Sequence, residues 1–96
     1  MTKSKGGIDK MVDKKLIGKI THYFPKIGVA VVELRDEIRI GDKIRIEGAT
    51  TSFEQQVESM EIDKEKVETA TMGQAIGLKV KERVRPNDSV YRIGEE

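Results

Sequence analysis

The stretch Ile38-Arg-Ile-Gly-Asp-Lys-Ile-Arg-Ile46 alternates isoleucine with charged residues on either side of a Gly-Asp pair. A two-residue period of this kind belongs to a strand buried on one face only. Gln74-Ala-Ile-Gly-Leu-Lys-Val80 repeats the pattern further along. Gly41 and Gly77 interrupt the two stretches where a closed sheet has to turn sharply or admit another backbone. Together they predict a small closed β-barrel.

Ile38, Ile40, Ile44 and Ile46 are expected inside, with Arg39, Lys43 and Arg45 outside. A two-residue Gly41-Asp42 loop would set Ile40 opposite Lys43, which requires both to face the same way. A three-residue connection from Gly41 to Lys43 pairs Ile40 with Ile44 and Ile38 with Ile46, if the two runs pair at all. Upstream, Leu16–Phe24 reads as a first strand and Pro25-Lys-Ile-Gly28 as a turn. The apolar run within Gly28–Leu34 is of the kind seen where both faces are covered. Downstream, Gly48-Ala-Thr-Thr51 is a turn before a long strand from Ser52 to Ile62. Val57 and Met60 stand three apart there, so a β-bulge near Glu58-Ser59 is expected to restore the alternation. Asp63-Lys-Glu-Lys66 is a hairpin tip, and Ile76, Leu78 and Val80 form an inward row. Pro86-Asn-Asp88 turns the chain, and Val90 and Ile93 close the domain. No segment holds a helical period, so the fold class is all-β.

Composition supports one domain of 96 residues in which only 36% are hydrophobic and aromatics are scarce. The core must therefore come from Ile, Val and Leu, which suit a pleated sheet. Without cysteine there is neither a disulfide framework nor a thiolate metal site. That suits an intracellular protein, and a cytoplasmic location is expected. No apolar run approaches the roughly 18 residues of a membrane span, and the charged N-terminus lacks the apolar stretch of a secretory signal. Residues 1–15 hold five Lys and two Asp, and read as a flexible basic tail ahead of a barrel domain at 16–96. The remainder carries 13 basic and 15 acidic residues, so it is not a basic domain and wholesale nucleic-acid binding is not indicated. Dense charge with few amides resembles proteins of hot environments.

Catalytic sets are not found. His22 is the sole histidine, and beside Tyr23 and Phe24 it reads as a strand-end packing residue. Glu58, Glu61, Asp63, Glu65 and Glu68 cluster near one hairpin; a hard-cation site of oxygen ligands is one reading. A solvated acidic face interleaved with Lys64 and Lys66 is the preferred one. Lys79, Lys81, Arg83 and Arg85 are spaced two apart, so on a strand they would form a cationic row about 20 Å long. Gly77 extends that row with bare backbone where a partner can come close. The spacing of about 6.5–7 Å approaches the phosphate repeat of an extended single strand. Such contacts confer salt-sensitive affinity, not sequence reading. The competing explanation is a solvated sheet edge protected by charge. Gly77→Val is expected to leave folding nearly unchanged while weakening any partner.

Several segments in order carry a resemblance. His22-Tyr-Phe-Pro-Lys-Ile-Gly28 precedes Val29-Ala-Val-Val32, then come Ile40-Gly-Asp-Lys-Ile-Arg-Ile46, Val57-Glu-Ser-Met-Glu-Ile62, Val67 and Met72-Gly-Gln-Ala-Ile-Gly77. From about Ile20 to Ile93 the chain resembles the second, β-barrel domain of the translational GTPases, the family of elongation factor Tu. It is similar as well to the C-terminal barrel of the collagenase-like peptidases, a family including enzymes implicated in RNA modification. Most of all it resembles stand-alone elongation-factor-like proteins of archaea. The resemblance implies a six-stranded Greek-key barrel acting as a binding module. The GTPase itself is not implied, because no Gly-x4-Gly-Lys-Ser/Thr loop and no Asn-Lys-x-Asp segment is present. Aminoacyl-end recognition is not carried over, since Ala75 stands where the family has a polar residue.

The expectation is thus a translation-factor-like module without enzyme activity, cofactor, metal, nucleotide or membrane contact. It would dock on RNA or a ribonucleoprotein through Gly77, Lys79, Lys81, Arg83 and Arg85. The alternative is a protein-interaction or scaffold subunit that positions a separately encoded RNA-modifying or peptidase-like enzyme.

Overall fold

The computed structural model describes residues 12–95. Within them the chain forms ten strands and no helix: β1 (Val12–Phe24), β2 (Val29–Leu34), β3 (Ile38–Arg39), β4 (Lys43–Glu47), β5 (Ser52–Gln56), β6 (Met60–Ile62), β7 (Glu65–Val67), β8 (Thr69–Ala70), β9 (Ala75–Lys79) and β10 (Ser89–Glu95). Eight of these form one sheet in the order β5-β4-β10-β1-β2-β9-β6-β7, and β3 pairs with β8 in a separate ladder. Every pairing is antiparallel. With no helix among the described residues, none is long and apolar enough to cross a membrane.

One apolar cluster holds the domain together. Ile17 and Ile20 of β1, Val32 of β2, Ile38 of β3, Ile44 and Ile46 of β4, and Ile76 and Leu78 of β9 are all buried in it. Phe53 of β5 and Met60 of β6 come from opposite ends of the strand order, so the sheet curls round this core. The all-β expectation and its aliphatic lining hold. The main-chain order, however, is a line ending at β5 and β7, and shows neither a closed ring nor a Greek key. Beyond the last pair of β4 and β5, Gly41 N–H donates to Val57 O (2.8 Å) and Val57 N–H to Asp42 O (2.8 Å), extending that ladder by one step.

Five local expectations change. The isoleucine runs 38–40 and 44–46 do not pair with each other: β3 pairs with β8, and β4 lies between β10 and β5. A tight turn at 39–42, with Asp42 Oδ2 accepting from Arg39 N–H, leaves Ile40 exposed, not inside. The irregularity between Val57 and Met60 is a break rather than a bulge, because β5 pairs with β4 whereas β6 pairs with β9 and β7. Only Ala30, Val32 and Leu34 of the apolar run are buried; Val29 and Val31 lie half-covered on the other face. Finally, β1 begins at Val12, so residues 12–15, assigned to the tail, instead pair with β10; residues 1–11 of that tail lie outside the described residues. The hairpin tip at 63–66 is as expected, with Asp63 and Lys64 at φ of 52° and 69° joining β6 to β7. Those angles suit the primed turns that match strand twist.

Charge organises the outer face of β5, β4, β10 and β1. Arg45 pairs with Glu47 and, at 3.1 Å, with Glu54; Lys14 reaches Glu47 at 3.2 Å and lies over the Tyr91 ring. Lys15 pairs with Asp36 at 2.8 Å. The Arg45 hydrogen bond, then Lys14, lowers the Glu47 pKa, and the Lys15 hydrogen bond with the Glu37 N–H lowers that of Asp36. Both carboxylates are therefore more acidic folded than unfolded. Their small stabilisation is complete above the unfolded values of about 3.9–4.3 and is lost as pH falls through the folded ones. Glu47→Gln and Asp36→Asn should reduce the fall in melting temperature below about pH 4 measured by circular dichroism.

Two strand glycines behave oppositely. A Cβ on Gly18 would stand 2.7 Å from Val32 Cγ1 and 2.9 Å from Glu33 O, whereas one on Gly77 would meet only Val29 Cγ1 at 3.4 Å and Glu61 O at 4.0 Å. Gly18→Ala should cost about 1–3 kcal/mol of overpacking, a drop of at least about 4 °C in melting temperature. Gly77→Ala should leave that temperature unchanged or slightly raised, because glycine is the poorer strand residue.

Candidate functional site

The cationic residues singled out in the sequence leave the sheet as they emerge. β9 ends at Lys79, and residues 80–88 run on as irregular chain, so Lys81, Arg83 and Arg85 do not form a strand row. The expected regular two-residue spacing past Lys79 is accordingly replaced by a pinned loop. Val80 and Val84 are buried and anchor it, while Lys79, Lys81, Arg83 and Arg85 are exposed. Val80 N–H donates to Gly28 O at 2.9 Å, and Lys79 N–H to Ser59 O at 3.2 Å. At the far end Asp88 Oδ2 accepts from Arg85 N–H at 2.9 Å, and Asn87 N–H donates to Ile20 O at 2.7 Å.

Gln55 supplies the central tie. Its side chain is buried at 5% exposure; Nε2 donates to Lys79 O and Oε1 accepts from Lys81 N–H, each at 2.8 Å. One amide thus replaces a neighbouring strand for two backbone groups, joining β5 to the end of β9. Phe53 and Val57 flank Gln55 at inward positions, so the alternation already marked it as a buried polar residue. That signal was present in the sequence and went unused.

The β1–β2 hairpin borders this loop. His22 does not pack inside: it is exposed, and its ring lies parallel to that of Phe24, with centroids 6.3 Å apart and an interplanar angle of 8°. Phe24 is 47% exposed and Ile27, at the hairpin tip, 60%. His22, Tyr23 and Pro25 line a shallow depression of about 380 Å³ together with Arg83, Val84, Arg85 and Pro86. Lys79 Nζ donates to Ile27 O at 3.3 Å. Gly77, outward on β9 between Val31 and Glu61, adds a patch of bare backbone beside it.

Lys14, Lys15, Arg39, Lys43, Arg45 and Arg92 each pair with a carboxylate. Among the described residues Lys19, Lys26, Arg35, Lys64, Lys66, Lys79, Lys81, Arg83 and Arg85 make no such pair, and four of them fall within residues 79–85. The structure brings Arg83 and Arg85 together with the aromatic hairpin end; of the acidic residues, Glu58 and Glu68 line a separate depression with Lys66, and Glu61 lies opposite Gly77. No three His, Asp or Glu among the described residues are grouped so as to hold a metal ion.

No family model matches the chain. A collagenase of Porphyromonas gingivalis is 43% identical over 89 residues, which is 91% of this chain and 25% of the collagenase. An uncharacterized protease of Methanocaldococcus jannaschii is 40% identical over 80 residues, 82% of this chain and 20% of the protease. The solved C-terminal domain of a Geobacillus thermoleovorans protein named as a U32 peptidase superposes with a TM-score of 0.77 at 25% identity, covering 81% of this chain and 91% of that domain. By sequence and fold the chain is similar to the C-terminal domain of the collagenase-like, U32 proteins. It spans only a fifth to a quarter of the curated relatives. These relatives support the collagenase-like resemblance; none of them is a translation factor or an archaeal elongation-factor-like protein.

Gln55→Leu removes the partners of Lys79 O and Lys81 N–H. A loss of about 1–3 kcal/mol is expected, together with faster hydrogen exchange at the Lys81 amide. Unchanged exchange there would show that the loop is held without Gln55.

Proposed function

We propose that this domain is a non-catalytic binding module of a collagenase-like protein, and that its ligand is anionic: RNA or a ribonucleoprotein met along Gly77, Lys79, Lys81, Arg83 and Arg85. The observation that carries the reading is a run of unpaired cations on one loop. Lys14, Lys15, Arg45 and Arg92 are held by carboxylates, whereas Lys79, Lys81, Arg83 and Arg85 follow one another unpaired beside an exposed aromatic hairpin; Lys19, Arg35, Lys64 and Lys66 are unpaired elsewhere on the surface. Each unpaired cation that meets a phosphate releases condensed counterions, which gives affinity that falls with salt. A non-catalytic role fits the chemistry at hand. The one histidine bonds only Thr21 Oγ1, at 3.3 Å, so no nucleophile, base and orienting group are joined.

A second reading is favoured by the share of its relatives that the chain covers. A domain matching a fifth to a quarter of a collagenase or protease suits an accessory unit that positions a peptidase-like catalytic part. In that case the exposed Phe24, Ile27 and half-covered Val29 and Val31 would be its contact surface.

Titration with tRNA at several salt concentrations separates the two. Four phosphate contacts to unpaired strands predict a log–log slope of about −3, and Arg83→Ala with Arg85→Ala should reduce it by about 1.4. A flat salt response, or no binding at low salt, would discard the RNA reading and leave the accessory one.

A further inference from the structure

Resting on the anionic-ligand reading above, we propose that the paired rings of His22 and Phe24 are a base-stacking platform, so that the ligand is a single-stranded nucleic acid. The platform originates in an irregularity of β1. Ile20 pairs with Val32 but His22 pairs with Val31, so Thr21 is an extra residue in the strand. In an unbroken alternation His22 and Phe24 would follow Ile20 into the core. The extra residue reverses the parity: Tyr23 packs partly buried against the core, and His22 and Phe24 turn outward. Bulges that re-aim side chains in this way occur preferentially beside functional surfaces.

The outward rings have the geometry that a planar base requires. They lie within 8° of parallel with centroids 6.3 Å apart, so a base laid against an exposed ring face meets a flat aromatic surface. Phe24 is 47% exposed. Arg83 and Arg85 share the depression beside His22, which places cations where a phosphate adjoining a stacked base would lie. Stacking platforms next to cationic tracks are the general means of holding single strands without reading sequence. In a duplex the faces of the bases are already stacked on one another, so the same rings gain nothing there.

The test is fluorescence anisotropy of the full chain at low salt with three probes: a ten-nucleotide uridine oligomer, a hairpin duplex of matching charge, and inorganic polyphosphate. The oligomer should bind more tightly than the duplex. Phe24→Leu should weaken the oligomer about tenfold and leave polyphosphate unchanged, while Phe24→Tyr retains the ring and the affinity. His22→Leu provides an independent arm, with the same selective loss, should Phe24→Leu lower the melting temperature. Equal affinity for duplex and oligomer, or equal losses on oligomer and polyphosphate, overturns the stacking platform and leaves the cationic reading intact. Binding of none of the probes overturns both.

Discussion

Two hydrogen bonds from the buried amide of Gln55 govern how this domain ends its sheet. The strand order stops at β5 on one side, and its neighbour across the core is the chain leaving β9. No ladder joins them, yet both must cover the same aliphatic cluster. A side-chain amide can donate and accept in one plane, as a peptide does, so it satisfies Lys79 O and Lys81 N–H without a further strand. Once these groups are held, Val80 and Val84 are directed inward and Lys79, Lys81, Arg83 and Arg85 are left outward. The loop is held at both ends by backbone bonds, to Gln55, Gly28 and Ser59 on one side and to Ile20 and Asp88 on the other, and by buried Val84 between them.

The charges do not perform the same work as that amide. Exposed ion pairs such as Lys15–Asp36 are each worth about 0–1 kcal/mol, too little to decide the fold. Their effect is instead local neutralisation. Lys14 and Arg45 are balanced by Glu47 and Glu54 on the outer face of β5, β4 and β1, whereas Arg83 and Arg85 near Pro25 have no carboxylate partner. A net charge of +1 therefore conceals an uneven surface, which is why composition alone argued against polyanion binding while the geometry allows it locally.

What was legible in the sequence was the period. Alternation placed Ile44, Ile46, Ile76, Leu78 and Val80 inside, and each of them is buried. Turn chemistry at 48–51, 63–66 and 86–88 was equally local and equally readable. What the period could not supply was partner choice. Ile38 and Ile44 share a parity but belong to different ladders, and the chain between them turns too tightly to keep Ile40 in register. The same holds at Val57–Met60, where one apparent bulge is a change of partner. In β1 the reverse occurred, and a real bulge at Thr21 passed for regular strand, so His22 was assigned to packing. The cationic row was read on strand geometry that ends at Lys79, because residue spacing carries no mark of where a ladder stops.

The apolar run Val29-Ala-Val-Val32 then acquires a different meaning. Such a run predicts cover on both faces, and the domain supplies it on one. Val29 and Val31 are half-covered, Gly77 beside them carries no side chain, and Phe24 extends the same outward face. Selection for strand propensity alone would explain two valines, since β-branched residues suit any pleated surface. It does not explain an exposed phenylalanine next to them, a bulge that turns it outward, and an open glycine within one patch. Those three features share a direction rather than a propensity, and a direction facing solvent is intelligible when something flat and apolar comes to rest there. Arg83 and Arg85 border the patch, which is the juxtaposition of ring and cation on which the proposed anionic ligand rests.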